Sequence, residues 1–322
     1  MSEATAGNQE RNIMIMFLSN FFPKDTGEGV KTLDRKFEGI YKFHDGTMDS
    51  EACTLTNEAP IRDVVASLSH QNRKLDKIVY FVTSALQEEP IKLLDGGRIQ
   101  EYKTKEDLFL HRIREKCSPA LDDTEFVGVP FDDKSTQPMQ ECIEAVVRME
   151  NEIKKNLLTE GKERNHLFAD ITGGLRTANM AMTAVIQLLQ YEKIQVDLVL
   201  YSYSSGDIRS VLDVRDVDSL YKLVAGVDAF TKYGSSAALN EYFADVINDE
   251  VGYPPLKKML FVMDKFSASV LLCQTNLIKK NLAKLMRRLY KFMKEKSSGR
   301  PAKVELFARM TNELVHRYSK ML

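Results

Sequence analysis

The segment Asp170-Ile-Thr-Gly-Gly-Leu-Arg-Thr177 has the residue types of an anion-binding turn. An apolar run precedes it and apolar residues at helical spacing follow it, so its two glycines join a strand to a helix. Gly173 and Gly174 allow backbone N–H groups to approach a ligand, and the N-terminus of the following helix favours phosphate. Arg176 adds a guanidinium and Thr177 a hydroxyl in the first helical turn. A tight strand-to-helix turn with Arg176 in a salt bridge would need the same residues, and that interpretation stays open.

Several familiar nucleotide and metal motifs are missing from the sequence. The glycine pair is not followed by Lys-Ser or Lys-Thr and does not read GxGxxG, so nucleotide hydrolysis and nicotinamide binding are disfavoured. The cysteines stand far apart, at Cys53, Cys117, Cys142 and Cys273, and the five histidines form no HxH or HxxxH pair. We therefore predict no metal site, no disulfide framework and no cofactor, and we expect each cysteine to be a small buried apolar group.

Apolar runs of strand length alternate along the chain with segments whose apolar residues recur at helical spacing. The runs lie at Asn12–Leu18, Lys77–Thr83, Thr124–Pro130, His166–Asp170 and Gln195–Tyr201, and the helical segments at about Asn57–Ser69, Lys105–Cys117, Met139–Leu158 and Leu175–Leu189. Runs that are apolar on both faces are typical of central parallel strands, which need long crossovers. The pattern predicts an α/β fold with a doubly wound, mainly parallel Rossmann-like sheet.

Small polar residues follow each predicted strand. They stand at Ser19-Asn20, Ser84-Ala85, Asp132-Asp133, Thr172-Gly173-Gly174 and Ser202–Ser205. Sheets of this kind bind ligands at the carboxyl ends of their strands, in the crevice where the strand order reverses. The positions therefore predict a site rich in hydroxyls and backbone N–H groups, although short polar residues are also ordinary turn residues.

The strand pattern stops near Ser219, and helical spacing continues almost to the last residue. We predict a disordered N-terminus at residues 1–11, a ligand-binding α/β domain at 12–219 and an all-α region at 220–322. Within that region, residues 277–303 form a strongly basic helix with a single acid, Glu295. This helix fits a nucleic-acid phosphate backbone or, more plainly, a solvated helix face. The final residues lack a helix stop signal, so the chain is expected to be a fragment of a longer protein.

The composition excludes several classes of protein. The 322 residues carry 45 Lys and Arg against 46 Asp and Glu, a net charge of −1, so no overall field draws the chain to nucleic acid or membrane. With 43% hydrophobic residues it has the composition of an ordinary globular protein. No apolar run approaches the roughly 20 residues of a membrane helix, and no apolar leader precedes residue 12. We therefore expect a cytoplasmic protein without a membrane partner.

The glycine turn resembles the Asp-x-Thr-His/Gly-Gly-x-Arg signature of CARF domains, the CRISPR-associated Rossmann-fold sensors of type III immunity. Phe17-Leu-Ser-Asn20 stands where the family's first strand opens onto the ligand, and Thr56-Asn57-Glu58-Ala59 where the first helix begins in its larger branch. Val211–Val214 and Val227–Gly234 resemble the hairpin and linker helix that follow the last strand. The resemblance spans about Asn12 to Phe243.

The resemblance implies a homodimer whose two glycine turns meet across a twofold axis and cradle one cyclic oligoadenylate, with cyclic tetra-adenylate favoured over hexa-adenylate. The implied ligand-binding residues are Ser19, Asn20, Thr56, Asn57, Ser84, Thr172, Gly173, Gly174, Arg176 and Thr177. Binding would control a C-terminal effector allosterically through the linker helix. Some relatives also cut their own ring slowly, a reaction that Ser19, Asn20 and Thr172 could support.

The type of effector stays open. Many relatives carry a HEPN ribonuclease, marked by Arg, four to six residues and then His, which cuts RNA without a metal. Arg309 and His316 fit that spacing, although Met310 stands where a polar residue is usual. A ring-activated ribonuclease using this pair is therefore an alternative, and a nucleic-acid-binding regulator acting through helix 277–303 is a second. An unrelated doubly wound enzyme is a third, but the sequence shows no identifiable nucleophile or acid–base pair for one.

Overall fold

The computed structural model describes residues 10–21, 24–25, 30–33, 38–88, 90–95, 98–155, 157, 164–174, 176–205, 207–244, 253–294 and 301–320. It divides the chain into two compact units, Met1–Arg215 and Asp216–Leu322. Most of the predicted disordered segment 1–11 lies outside the described residues, but Arg11 belongs to the first strand. Among the described helices, none combines the length and the apolarity that crossing a bilayer requires.

The strands and helices of the first unit follow the predicted alternation. The strands are β1 (Arg11–Phe17), β2 (Lys24–Asp25), β3 (Lys31–Thr32), β4 (Lys77–Val82), β5 (Ile91–Asp95), β6 (Arg98–Tyr102), β7 (Glu125–Pro130), β8 (Asn165–Asp170), β9 (Gln195–Ser205) and β10 (Ile208–Asp213). The helices are α1 (Glu58–His70), α2 (Ser84–Gln87), α3 (Lys105–Cys117), α4 (Pro138–Lys154) and α5 (Arg176–Tyr191).

Six strands form the main sheet, in the order β10-β9-β8-β1-β4-β7. Every neighbouring pair is parallel except β9 and β10. The chain runs outward from β1 through β4 to β7 and then returns to β8 on the other side of β1. The strand order therefore reverses between β1 and β8, where Met16 pairs with Asp170. The predicted mainly parallel, doubly wound α/β fold is confirmed.

Both faces of this sheet are buried. Met14 and Met16 of β1 belong to an apolar core that includes residues of α1 and α3, whereas Ile13 and Ile15 belong to a second core with residues of α4 and α5. Alternate residues of a strand point to opposite faces, so a strand covered on both sides must be apolar throughout. This is why β1 reads as a continuous apolar run.

The structure corrects several details of the sequence-based prediction. Strand β9 continues to Ser205, so the residues after Tyr201 form part of a strand and not a turn. A second sheet, in the order β2-β3-β5-β6, was not predicted. Helix α4 ends at Lys154, before the predicted end at Leu158. Cys53, Cys117 and Cys142 are buried, but Cys273 is exposed, so the expectation of a buried side chain is wrong for that cysteine.

The described residues of the second unit are helical. Its helices are α6 (Arg215–Tyr233), α7 (Ala237–Tyr242), α8 (Pro254–Leu271), α9 (Thr275–Lys294) and α10 (Ala302–Ser319). They enclose a core of their own, in which the Tyr318 hydroxyl donates to the Phe230 carbonyl at 2.6 Å. The predicted basic helix 277–303 corresponds to α9 and the start of α10, with residues 295–300 outside the described part of the chain.

Candidate functional site

The turns that follow β1 and β8 pack directly against each other at the switch point of the sheet. A Cβ atom added at Gly173 would lie 1.8 Å from Ser19 Oγ and 2.9 Å from the Phe17 carbonyl oxygen. Gly174 has a φ of +95°, and a Cβ there would lie 2.4 Å from the Phe17 ring. The two glycines are therefore needed for the close approach of the two turns, a packing role that the sequence-based interpretation did not assign to them.

Asn57, the residue before α1, ties the two turns together. Its Oδ1 accepts from the backbone N–H of Ser19 at 2.9 Å, and its Nδ2 donates to the Phe17 carbonyl at 3.0 Å and to Asp170 Oδ2 at 2.7 Å. Its side chain is 1% exposed. Asn57 was predicted to bind the ligand; in the structure its amide bonds to the ends of β1 and β8 and so holds the two turns in place.

Asp170 lies fully buried at the end of β8. Its Oδ1 accepts from the backbone N–H of Thr172 at 2.8 Å, which shapes the start of the glycine turn. Burial raises the pKa of Asp170 to about 6, and hydrogen bonds from Thr172 and Asn57 oppose that rise. The carboxyl group therefore titrates close to neutral pH, beneath the crevice.

Stability is expected to fall as the pH rises from about 4 to about 6. Asp170 holds its proton in the folded chain at a pH where the unfolded chain, with the ordinary pKa of 3.8, has lost it. A shift of this size corresponds to about 3 kcal/mol, lost across that window as the pH rises. Urea unfolding followed by circular dichroism at several pH values measures it, with Asp170→Asn as the non-titrating reference. An equal pH slope in both proteins would contradict the assignment.

Two hydroxyl groups lie beside the turns at this edge of the sheet. The Thr172 hydroxyl accepts from the backbone N–H of Ser202 at 2.7 Å, which attaches the glycine turn to β9. The Ser19 side chain is 9% exposed, and its Oγ has no hydrogen-bond partner among the described residues. Buried hydroxyls usually have a partner. The Ser19 hydroxyl is therefore a buried polar group without a partner among the described residues, at the point where the two strands part.

Lys105 brings a positive charge to this edge of the sheet. Its ammonium group donates to Asn20 Oδ1 at 3.3 Å. The residue opens α3, whose N-terminus is capped by Thr104 Oγ1 accepting from the Asp107 N–H at 3.0 Å. Lys105 was not among the predicted site residues, since 85 residues separate it from Asn20. Its place at the start of a predicted helix was the available signal.

The other predicted site residues lie at different distances from the switch point. Ser84 is half-buried at the start of α2, after the neighbouring strand β4, and Thr56 is half-buried in the turn before α1. Thr177 is half-buried in the first turn of α5. Arg176 begins α5, but its side chain lies outside the described part of the structure. The structure thus brings together Ser19, Asn20 and Thr172–Gly174, with Asn57 holding them.

Arg309 and His316 lie in the second unit, on helix α10. Both side chains are exposed, and seven residues of helix place them two turns apart on one face. Arg309 Nε lies 3.4 Å from Glu305 Oε1. The arrangement presents one cation and one imidazole to the surface.

The crevice has the chemistry of an anion site. Backbone N–H groups at the start of α5 and the Lys105 ammonium are donors of the kind that suits phosphate. Within the described ranges, no group of three or more His, Cys, Asp or Glu side chains could hold a metal ion.

Comparison with solved structures shows a structural likeness at low sequence identity. No family model matches the chain, and no curated protein matches it. A solved structure, Enterococcus italicus Csm6 bound to cyclic hexa-2'-fluoro-hexa-dAMP, is similar with 9% sequence identity and a TM-score of 0.39. The match covers 94% of this chain and 62% of that one, so this chain spans about three fifths of the other's length. A likeness of this degree does not assign a ligand to the present chain.

Proposed function

We propose that this chain is a CARF-type sensor that binds a cyclic oligoadenylate as a homodimer and controls an effector allosterically in type III CRISPR antiviral defence, in the cytoplasm. The proposal rests on where the signature-like residues lie in the fold. The residues that resemble the CARF signature, Asp170–Thr177, stand at the reversal of strand order, beside the unpartnered hydroxyl of Ser19. Such reversals are where open α/β sheets bind ligands.

The chemistry of a cyclic oligoadenylate fits the donors of the crevice. Its phosphates are anions that backbone N–H groups at the start of α5 would bind, with Arg176 and Lys105 adding positive charge. Its adenines and riboses offer acceptors for Ser19 and for the amide of Asn20. A ring with rotational symmetry suits a pocket shared by two identical chains, which is why the proposal includes a homodimer.

Arg176→Ala is expected to weaken ring binding by about 1–3 kcal/mol, the usual cost of losing a charge-assisted contact. Isothermal titration calorimetry with cyclic tetra-adenylate and cyclic hexa-adenylate measures it, and we expect the tetra-adenylate to bind more tightly. Arg98→Ala is the matched control, because Arg98 is an exposed arginine on β6. A stoichiometry of one ring to two chains would support the homodimer.

Three results would count against this proposal. If neither ring binds to the wild-type chain, the sensor function is wrong. If a ring binds but Arg176→Ala leaves its affinity unchanged, the ligand does not contact that guanidinium. If the chain is a monomer in sedimentation experiments, with and without the ring, the proposed homodimer with a shared pocket is wrong.

A ring-activated ribonuclease is the second candidate, favoured by the exposure of Arg309 and His316 on one face of α10. Labelled single-stranded RNA, incubated with the protein and each ring, is expected to be cut only in the presence of the ring, without added metal. His316→Ala is then expected to abolish cutting, whereas His70→Ala, at an exposed histidine of α1, is expected to keep it. Cutting that survives in the His316 variant would exclude this pair.

A further inference from the structure

Helix α9 is strongly basic and contains no acidic residue. Its cations are Lys279, Lys280, Lys284, Arg287, Arg288, Lys291 and Lys294, and residues 275–294 contain no Asp or Glu. The opposite face of the helix, including Leu282, Leu285 and Leu289, is buried in the core of the second unit. That packing fixes which side of the helix meets solvent.

Five of these cations form one straight line, which we call the basic stripe: Lys280, Lys284, Arg287, Lys291 and Lys294. All five side chains are exposed. At 100° and 1.5 Å per residue they fall within an arc of about 80° and span about 21 Å along the helix axis. Neighbouring members are three or four residues apart, which is the spacing at which helical side chains interact.

The basic stripe has no electrostatic partner within the described residues. None of its members forms an ion pair there, and Arg287 Nε donates only to the carbonyl of Ala283 in its own helix, at 3.3 Å. Like charges at these spacings destabilise a helix. In α4, by contrast, Lys154 pairs with Glu150 one turn away. The basic stripe therefore does not contribute to the stability of the second unit, and binding of a polyanionic partner would explain it.

We propose that the basic stripe binds the phosphate backbone of a single-stranded nucleic acid. A single strand can follow a straight row of cations over this length, whereas each backbone of a duplex curves away from it. Tyr290 is 50% exposed and lies one turn from both Arg287 and Lys294, so its ring is placed to stack on a base of a strand held by the stripe. A membrane surface fits less well, because the apolar face of α9 is buried.

Fluorescence anisotropy on the full chain tests the proposal, with a labelled 15-nucleotide RNA, the DNA of the same sequence, and the duplex as probes. The test variant is Lys284→Gln/Arg287→Gln/Lys291→Gln. The matched control, Arg98→Gln/Lys103→Gln/Lys134→Gln, removes three exposed cations from the first unit and changes the net charge equally. At 50 mM KCl we expect the stripe variant to bind single strands at least tenfold more weakly than the control, which stays within about twofold of wild type.

The salt dependence gives a second readout. Loss of three phosphate contacts is expected to make the slope of log affinity against log salt concentration shallower by about 2, since each contact on a single strand contributes about 0.7. Tyr290→Ser is expected to weaken binding of the RNA roughly tenfold and to leave binding of an abasic strand of equal length unchanged. The RNA and DNA arms decide which nucleic acid is preferred.

Several outcomes would overturn the proposal. One is a wild-type chain that binds no single strand, and another is an equal loss of affinity in the stripe and control variants. Tighter binding of the duplex than of the single strand would also overturn it. So would competition by polyglutamate or anionic vesicles that is as strong as competition by unlabelled RNA. Matching thermal melting curves show that the variants fold. The result is independent of the proposed sensor function, which ring calorimetry tests at residues of the other unit.

Discussion

Gly173→Ala is expected to lower the free energy of unfolding by about 3 kcal/mol, at the upper end of the usual cost of overpacking. The new methyl group would lie 1.8 Å from Ser19 Oγ and 2.9 Å from the Phe17 carbonyl oxygen. A side chain can rotate away, but the Phe17 carbonyl belongs to the end of a central strand and cannot move without disturbing the sheet. Urea unfolding followed by circular dichroism measures the loss.

A second substitution distinguishes the overlap with Ser19 Oγ from the overlap with the Phe17 carbonyl oxygen. Ser19→Gly removes the hydroxyl and its Cβ but leaves the Phe17 carbonyl in place, so we expect it to restore about half of the stability lost in Gly173→Ala, as a double-mutant cycle would show. Gly226→Ala serves as the control, since its methyl group would come no closer than 3.0 Å to any atom, the nearest being Leu239 Cδ2. If Gly173→Ala is as stable as wild type, the two turns do not pack as described.

Asn57→Asp is expected to be the most damaging change of similar size in the first unit. It would set a second buried carboxylate against that of Asp170, 2.7 Å from its Oδ2, where the native amide donates a proton. Two carboxylates at this distance cannot both be ionised without a large cost, so the variant must take up a proton on folding. We expect it to be at least 3 kcal/mol less stable than wild type at pH 7.5.

The pH dependence distinguishes this mechanism from simple loss of hydrogen bonds. Asn57→Ala leaves the Ser19 N–H, the Phe17 carbonyl and Asp170 without their partner at any pH, and its pH dependence comes from Asp170 alone. Asn57→Asp should regain more stability than Asn57→Ala as the pH falls to 5.5, because the carboxyl pair then shares a proton. Unfolding at both pH values compares them. Asn281→Ala, which removes one exposed contact with the Lys265 carbonyl, is the control. Equal pH profiles for the two Asn57 variants would refute the explanation.

The sequence was sufficient for the centre of the main sheet because strands β1, β4 and β8 are buried on both faces. Residues such as Met14, Ile15 and Met16 leave no polar alternation, and only central parallel strands have that pattern. The place of Ser19 and Thr172 at one crevice followed from the rule that ligands bind at the carboxyl ends of strands. Both inferences rest on local composition, which a single sequence displays.

The parts that sequence reasoning missed depend on contacts between distant residues or on weak patterns. The sequence around Asn57 is typical of the start of a helix. Nothing in it indicates a hydrogen bond to Asp170, which is 113 residues away along the chain. The small sheet was missed because β6 is largely exposed and reads as polar, although the glycine pair at 96–97 between β5 and β6 is a hairpin signal. The extension of β9 to Ser205 was missed because its last residues are exposed serines and a tyrosine.

The β9–β10 hairpin decides where the second unit is attached. Strand β10 runs antiparallel to β9 and ends at Asp213, which lies opposite Leu200. Leu200 is also the register partner of Asp170 on β8. The next residue, Val214, donates its backbone N–H to the Val199 carbonyl at 2.7 Å. Helix α6 thus starts two strands from β8, about 10 Å away at the usual strand spacing. A fluorophore coupled at residue 215 would therefore lie at the same edge of the sheet as the glycine turn, which makes this junction the natural attachment point for an optical probe of that edge.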